Sequence, residues 1–126
     1  VYADSSALVK LIVSEPESTA LEDYLSAGSL LVTSRIAVVE VSRAVALANS
    51  EAAAATDELF RDCMLVSVTA PLLAAARELC SATVHTLDAI HLASALKVEP
   101  DELLAYDRRL VNAALENGLS VASPRA

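Results

Sequence analysis

The 126-residue chain is long enough for one domain with a real hydrophobic core. It is 55% hydrophobic, with one Phe and no Trp, so the core must be built from Leu, Val and Ala, and Tyr2, Tyr24 and Tyr106 are the few stacking platforms a nucleobase would find. Seventeen acidic against nine basic side chains leave a formal charge of −8, which excludes a protein that grips nucleic acid with its whole surface but not one that holds a phosphate at a local cation.

No apolar run reaches the length of a membrane span: Arg35, Glu40 and Arg43 interrupt one stretch, His91 and Ser94 another. The chain begins at Val1 rather than Met, and its opening residues do not read as an export leader, so a cytoplasmic location is expected. Cys63 and Cys80 lack CxxC spacing and lie in apolar surroundings, as buried free thiols do. No linker, repeat or low-complexity tail divides the chain, and a single domain over residues 1–126 is expected.

In chain order, Val1 to Ala3 read as the end of a buried strand and Ser5 to Leu11 as a short helix. Ser14-Glu15-Pro16-Glu17 has the form of a helix start with Pro near the first position, leading to a helix through Leu25 that Gly28 ends. Leu30 to Val32 is a short strand, and Thr33-Ser34 offer a cap for a long helix from Arg35 to Ala48. A helix over Glu51 to Arg61, with its run of alanines, precedes a strand at Met64 to Val68 and a helix from Pro71 to Cys80. Thr86 or Leu87 opens a helix to Leu96; Glu102 to Ala105 is a strand, Arg108 to Glu116 a helix closed by Asn117-Gly118, and Leu119 to Ala122 a last strand. Short apolar strands alternating with helices call for an α/β fold, a parallel sheet covered on both faces.

Four acidic residues stand out against this pattern. Asp4 and Asp107 each follow a strand, and the carboxyl ends of parallel strands form the binding edge of such sheets. Asp88 lies near a helix start, where free N–H groups favour an anion, and Glu40 interrupts the apolar strip of its helix. Asp4, Asp88 and Asp107 can each be read as helix caps, and Glu40 as the surface partner of Arg43 one turn on. Alternatively all four share a site. Convergent carboxylates raise one another's pKa, and a divalent cation removes that penalty. Oxygen-only ligands suit Mg²⁺ or Mn²⁺, as one ion or as two about 4 Å apart, able to polarise a phosphodiester and activate water.

Ser5, Ser6 and Thr86 stand close enough in sequence to support these carboxylates by hydrogen bonds, and serve equally as turn and cap residues. Lys10, Arg35, Arg43, Arg108 and Arg109 are candidates for phosphate contact, against which an arginine pair is often only a solvated face. His91 follows Asp88 by one turn, in reach of a phosphate or of Asp88, or as a core histidine bonded to backbone. His85 reads as a solvent-exposed residue before a turn. With glycine only at 28 and 118 there is no phosphate loop, and neither a G-x-S-x-G elbow nor a Cys/His zinc cluster occurs.

VYADSSALVKL, the Glu within SRIAVVEVSRAV, TLDAIHLASAL and LLAYDRRLVNAALENGLSVASP, in this order, resemble the PIN-domain family and within it the VapC-type toxins of toxin–antitoxin pairs. The resemblance runs over essentially the whole chain. It implies a three-layer α/β/α sandwich around a short parallel sheet of four or five strands, with Asp4, Glu40, Asp88 and Asp107 lining a pocket for Mg²⁺ or Mn²⁺. It further implies a metal-dependent ribonuclease acting on structured RNA such as tRNA or rRNA, a homodimer, and a VapB-type antitoxin whose C-terminal segment blocks the pocket. An acidic toxin suits a basic inhibitory arm. Many relatives carry Thr or Ser two residues before the last Asp; here the residue is Ala105, which leaves Ser6 or a water to supply the hydroxyl.

Two other functions fit parts of the pattern. A Mg²⁺-binding phosphoacceptor module also gathers acids at strand ends, but needs an acid beside Asp4 and a Lys after Leu119, and has neither. A non-catalytic PIN-like scaffold for RNA or protein contact would not need all four acids.

Overall fold

The computed structural model describes residues 1–26, 28–79 and 84–125. Five short strands form one parallel sheet: β1 (Tyr2–Ala3), β2 (Leu31–Ser34), β3 (Cys63–Val66), β4 (Leu103–Leu104) and β5 (Val121–Ala122), in the order β3-β2-β1-β4-β5. Between them run α1 (Ser5–Lys10), α2 (Ser18–Leu25), α3 (Ile36–Ala48), α4 (Ala53–Arg61), α5 (Ala70–Glu78), α6 (Thr86–Val98) and α7 (Arg108–Glu116).

Alternation along the strands makes the layers. Tyr2, Val32, Val66 and Leu103 enter one core with α5, α6 and α7; Ala3, Leu31, Leu65 and Leu104 enter the other with α1, α2, α3 and α4. Tyr2, Leu103 and Leu104 are fully buried on the central strands. Burial of each such side chain contributes about 1.5–3 kcal/mol relative to exposure. The parallel sheet covered on both faces is the one the alternation of elements calls for, and with five strands it makes the three-layer α/β/α sandwich that the resemblance implies. Among the described residues, no helix is long and apolar enough to cross a membrane.

Several boundaries differ, each for a local reason. The helix expected from Ser14 begins at Ser18, because the Ser18 hydroxyl accepts from Glu15 N at 2.9 Å and donates to Val13 O at 3.2 Å, holding the preceding residues in a turn. Pro16 therefore lies before the helix rather than inside it. β2 extends to Ser34, where register pairs Leu31 with Cys63 and Ser34 with Val66; Thr33 and Ser34 are strand residues, although Ser34 Oγ still accepts from Ile36 N at 3.3 Å. Thr69 caps α5, with Pro71 in its first turn, and the expected end of that helix at Cys80 lies outside the described residues, as does that thiol. Cys63 is a half-buried free thiol. α7 has the expected bounds, and Gly118 beyond it takes φ +84°, the left-handed conformation that ends a helix cheaply.

Candidate active site

A parallel strand must be followed by a helix that runs back along the sheet, so β1, β2 and β4 hand the chain to α1, α3 and α7 at the same edge. α6 precedes β4 and so starts at that edge too. Asp4 caps α1, Asp107 caps α7, Asp88 sits in the first turn of α6, and Glu40 lies five residues into α3. The four carboxylates thus come from four elements but one rim of the sheet.

Asp4 is only 4% exposed. Its Oδ1 accepts from Ser6 Oγ at 2.7 Å and from Ala7 N at 3.0 Å. Burial raises its pKa; the hydrogen bonds from Ser6 and Ala7 and the His91 ring oppose the rise, and the charge of Asp107 adds to it. Asp88 is raised by burial first and then by the same Asp107 charge. Asp107 is exposed and caps α7 through Arg109 N at 2.8 Å and Leu110 N at 3.3 Å. The cap readings of Asp4 and Asp107 are therefore correct, and compatible with a shared field at the rim.

Glu40 behaves differently. Its Oε1 accepts from Ser5 Oγ at 2.6 Å and meets His91 Nε2 at 2.8 Å. Burial pushes its pKa up, but the His91 and Ser5 hydrogen bonds and the charge of His91 outweigh it, and the net shift is downward. Arg43, the alternative partner, is exposed and makes no ion pair among the described residues.

Two expected phosphate contacts are placed elsewhere. His91 is 3% exposed, with Nδ1 on the Tyr2 hydroxyl at 2.7 Å and Nε2 on Glu40, so it faces the protein and not a phosphate. Lys10 is held by Glu15 at 3.5 Å and Glu17 at 3.3 Å, 4.7 Å from the centroid of the Tyr106 ring, which neutralises the charge a phosphate would need. Arg35, Arg43, Arg108 and Arg109 are exposed. Ser5 and Ser6 hydrogen-bond Glu40 and Asp4; Thr86, the exposed first residue of α6, makes no side-chain hydrogen bond among the described residues.

Tyr2, which sequence reasoning offers as a stacking platform for a nucleobase, is instead fully buried, with its hydroxyl on His91 Nδ1. A tyrosine in the middle of an apolar strand end must bury its hydroxyl, and its partner had to be sought among the few polar residues expected inside. Ser6 has a second function as well: its Oγ accepts from Tyr106 N at 3.2 Å, tying the end of β1 to the segment after β4. Beside it Ala105 is fully buried, and its carbonyl accepts from Ser123 Oγ.

All four donors are carboxylates, a set that suits a hard divalent cation. Among the described residues, however, no group of three or more His, Cys, Asp or Glu side chains is arranged to hold a metal ion. The rim gathers charge without closing it into a ligand shell.

Comparison with known proteins identifies the chain's kin. A family model described as "PIN domain" matches residues 1–116. Ribonuclease VapC47 of Mycobacterium tuberculosis (strain CDC 1551 / Oshkosh) is 37% identical over 133 residues, spanning 100% of this chain and 98% of its own. Ribonuclease VapC46 of M. tuberculosis (strain ATCC 25618 / H37Rv) is 40% identical over 126 residues, covering 98% of this chain and 97% of its own. The crystal structure of M. tuberculosis VapC20, titled a sarcin–ricin loop cleaving toxin, superposes with a TM-score of 0.81 over 98% of each chain at 19% identity, a likeness of fold. From its sequence kinship over the full length and the parallel sheet with its acidic rim, the chain belongs to the PIN-domain family, among the VapC toxin ribonucleases.

Proposed function

We propose that the chain is a divalent-metal-dependent endoribonuclease, the toxin of a type II toxin–antitoxin pair that acts on RNA in the cytoplasm. The observation that carries this reading is the placement of Asp4, Glu40, Asp88 and Asp107, on four different elements, at one rim of the sheet, where burial first and then the charge of Asp107 disfavour ionisation of Asp4 and Asp88. Asp4, Asp88 and Asp107, with Glu40, would hold Mg²⁺ or Mn²⁺, as one ion or two. When bound, the cation would polarise the scissile phosphodiester, favour ionisation of water and neutralise developing charge.

The chain's own residues supply the order this needs. Ser6 Oγ and Ala7 N fix one oxygen of Asp4, and Ser5 Oγ with His91 fix one oxygen of Glu40, so each carboxylate keeps its second oxygen free of hydrogen bonds from described residues. Arg35, Arg43, Arg108 and Arg109, exposed and without ion pairs among those residues, are available to an RNA backbone. A VapB-type antitoxin with a basic C-terminal segment is the partner that the acidic surface favours, and a homodimer is the expected assembly.

The test is incubation of the purified chain with end-labelled tRNA and rRNA fragments in Mn²⁺, beside EDTA and the Asp4→Asn variant. Discrete internal cleavage that both controls abolish is expected. Cleavage that survives in EDTA removes the metal from the mechanism, and RNA binding without cleavage in Mn²⁺ favours a non-catalytic scaffold.

A further inference from the structure

We propose that Tyr2 and His91 are positioning residues for Glu40: the phenol holds the imidazole at Nδ1, and the Nε2–H on its other side holds Glu40 Oε1. The inference rests on the reading of Glu40 as a member of the carboxylate site. It assigns a purpose to the buried Tyr2 hydroxyl, which the proposed reaction does not otherwise use.

The proton on Nε2 follows from its partners. Nε2 faces two oxygens, Glu40 Oε1 at 2.8 Å and Ser5 Oγ at 3.2 Å. An ionised carboxylate can only accept, and the single hydroxyl proton of Ser5 is directed to Glu40 Oε1 at 2.6 Å, so Ser5 turns a lone pair towards the ring. Nε2 must therefore carry a hydrogen. On the other side of the ring Nδ1 lies 2.7 Å from the Tyr2 hydroxyl, so the imidazole is held at both nitrogens. The two rings meet edge to face, with centroids 5.9 Å apart at 80°, which fixes the plane of the imidazole as well.

The chain reaches this arrangement economically. Tyr2 belongs to β1, two residues before Asp4, so the strand that delivers one carboxylate also anchors the support of another. His91 stands on α6, one turn after Asp88, and reaches across to Glu40 on α3. Elements from both helical layers are thereby tied at the rim, and the long Glu40 side chain is held with Oε1 occupied on two sides. A hydrogen-bond partner of this kind, behind a ligating group, typically changes metal affinity or activity by about 10–100-fold when removed.

The experiment uses the full chain. Long-range ¹H–¹⁵N correlation spectra of ¹⁵N-labelled protein report which ring nitrogen of His91 is protonated, with the signal assigned by its loss in His91→Gln. The expected result is a proton on Nε2 in the wild type, retained less fully in Tyr2→Phe, where the hydroxyl no longer holds Nδ1. Mn²⁺ affinity is then measured by calorimetry, at a temperature where every variant is folded by circular dichroism. His91→Leu should lose about 10–100-fold. His91→Gln, which can place an amide N–H near the position of Nε2, should recover most of that loss. In a Glu40→Gln background, His91→Leu should cost nothing further. A wild-type ring with no proton on Nε2 overturns the hydrogen bond to Glu40. A His91→Leu loss of equal size with and without the Glu40 carboxylate overturns the positioning role. If the wild type takes up no Mn²⁺, the metal reading fails, whereas the ring spectra still decide whether Tyr2 sets the state of His91.

Discussion

Replacing Asp4 with Asn should stabilise the metal-free protein at neutral pH. The Asn side chain keeps an acceptor for Ser6 Oγ and Ala7 N, now 2.7 and 3.0 Å from Asp4 Oδ1, so the cap of α1 survives. What disappears is a buried charge, on a residue 4% exposed whose pKa is raised by burial first and also by the charge of Asp107. Relief of a buried charge that its hydrogen bonds do not fully compensate falls within the range of about 0.5–3 kcal/mol that single substitutions span. A gain of about 1–2 kcal/mol is expected, or roughly 3–8 °C in melting temperature for a domain of this size. The pH dependence has a definite sign. Burial, followed by Asp107, raises the Asp4 pKa, so between the ordinary aspartate value and the folded one the native state holds more protons than the unfolded state. Wild-type stability falls as pH rises through that window, and the advantage of Asn is complete above it and vanishes below it. Mn²⁺ should reverse the order, since a ligand at a hundredfold excess over its Kd stabilises the chain that binds it by about 2.7 kcal/mol. Urea unfolding in EDTA and in Mn²⁺, at about pH 3 and about pH 7.5, reads all three effects, because the window opens near the ordinary aspartate value. An Asn variant less stable than wild type in EDTA at neutral pH, or a gap indifferent to pH, would refute the reasoning.

Ser6→Ala should destabilise the fold by about 1–3 kcal/mol in chemical denaturation, because it strands Tyr106 N and leaves Asp4 Oδ1 with Ala7 N as its one donor, breaking the bridge between β1 and the segment after β4. Glu99 ends α6 at φ +47°, where glycine carries no side-chain penalty; Glu99→Gly should gain about 0.5–1 kcal/mol in the same measurement, and a loss would show that its side chain makes a compensating contact. Arg108→Ala should weaken RNA binding by an inactive Asp4→Asn protein at low salt and flatten the plot of log affinity against log salt by roughly 0.7, one phosphate contact on a single strand. An unchanged slope in filter binding would take Arg108 out of the interface.

The element order was legible because the apolar runs were short and alternated with amphipathic stretches, a pattern that few folds other than a covered parallel sheet can satisfy. The boundaries were less so where a single side chain decided them: nothing in Ser14-Glu15-Pro16-Glu17 announces that the Ser18 hydroxyl will hold the chain in a turn and delay the helix. The acidic rim could be anticipated from placement after strands and at helix starts, since a parallel topology sends all of those positions to one edge. The partners of the acids could not. Arg43 is the natural partner for Glu40 by spacing along one helix, yet His91, 51 residues away, occupies that position, and the pairing depends on how two layers meet across the sheet. Lys10 likewise looked free for phosphate until the turn after α1 brought Glu15 and Glu17 to it.

The carboxylates at the rim are of two kinds, and the difference explains how a fold tolerates them. Glu40 arrives already paired: its pKa is lowered, so its contribution to stability is present above the ordinary glutamate value and is lost only as pH falls through its own. Asp4 and Asp88 arrive raised, each disfavoured by burial and by Asp107, and their contribution has the opposite sign. A chain that paired all four with its own cations would be more stable and would have no charge left with which to attract a metal. One that paired none would set three aspartates and a glutamate against each other with no fixed geometry. Glu40, held by Ser5 and His91, gives the rim a member whose position does not depend on the cation. The aspartates keep the unrelieved charge that makes cation binding favourable. The stability forgone at Asp4 and Asp88 is thus the source of the affinity that the proposed reaction requires.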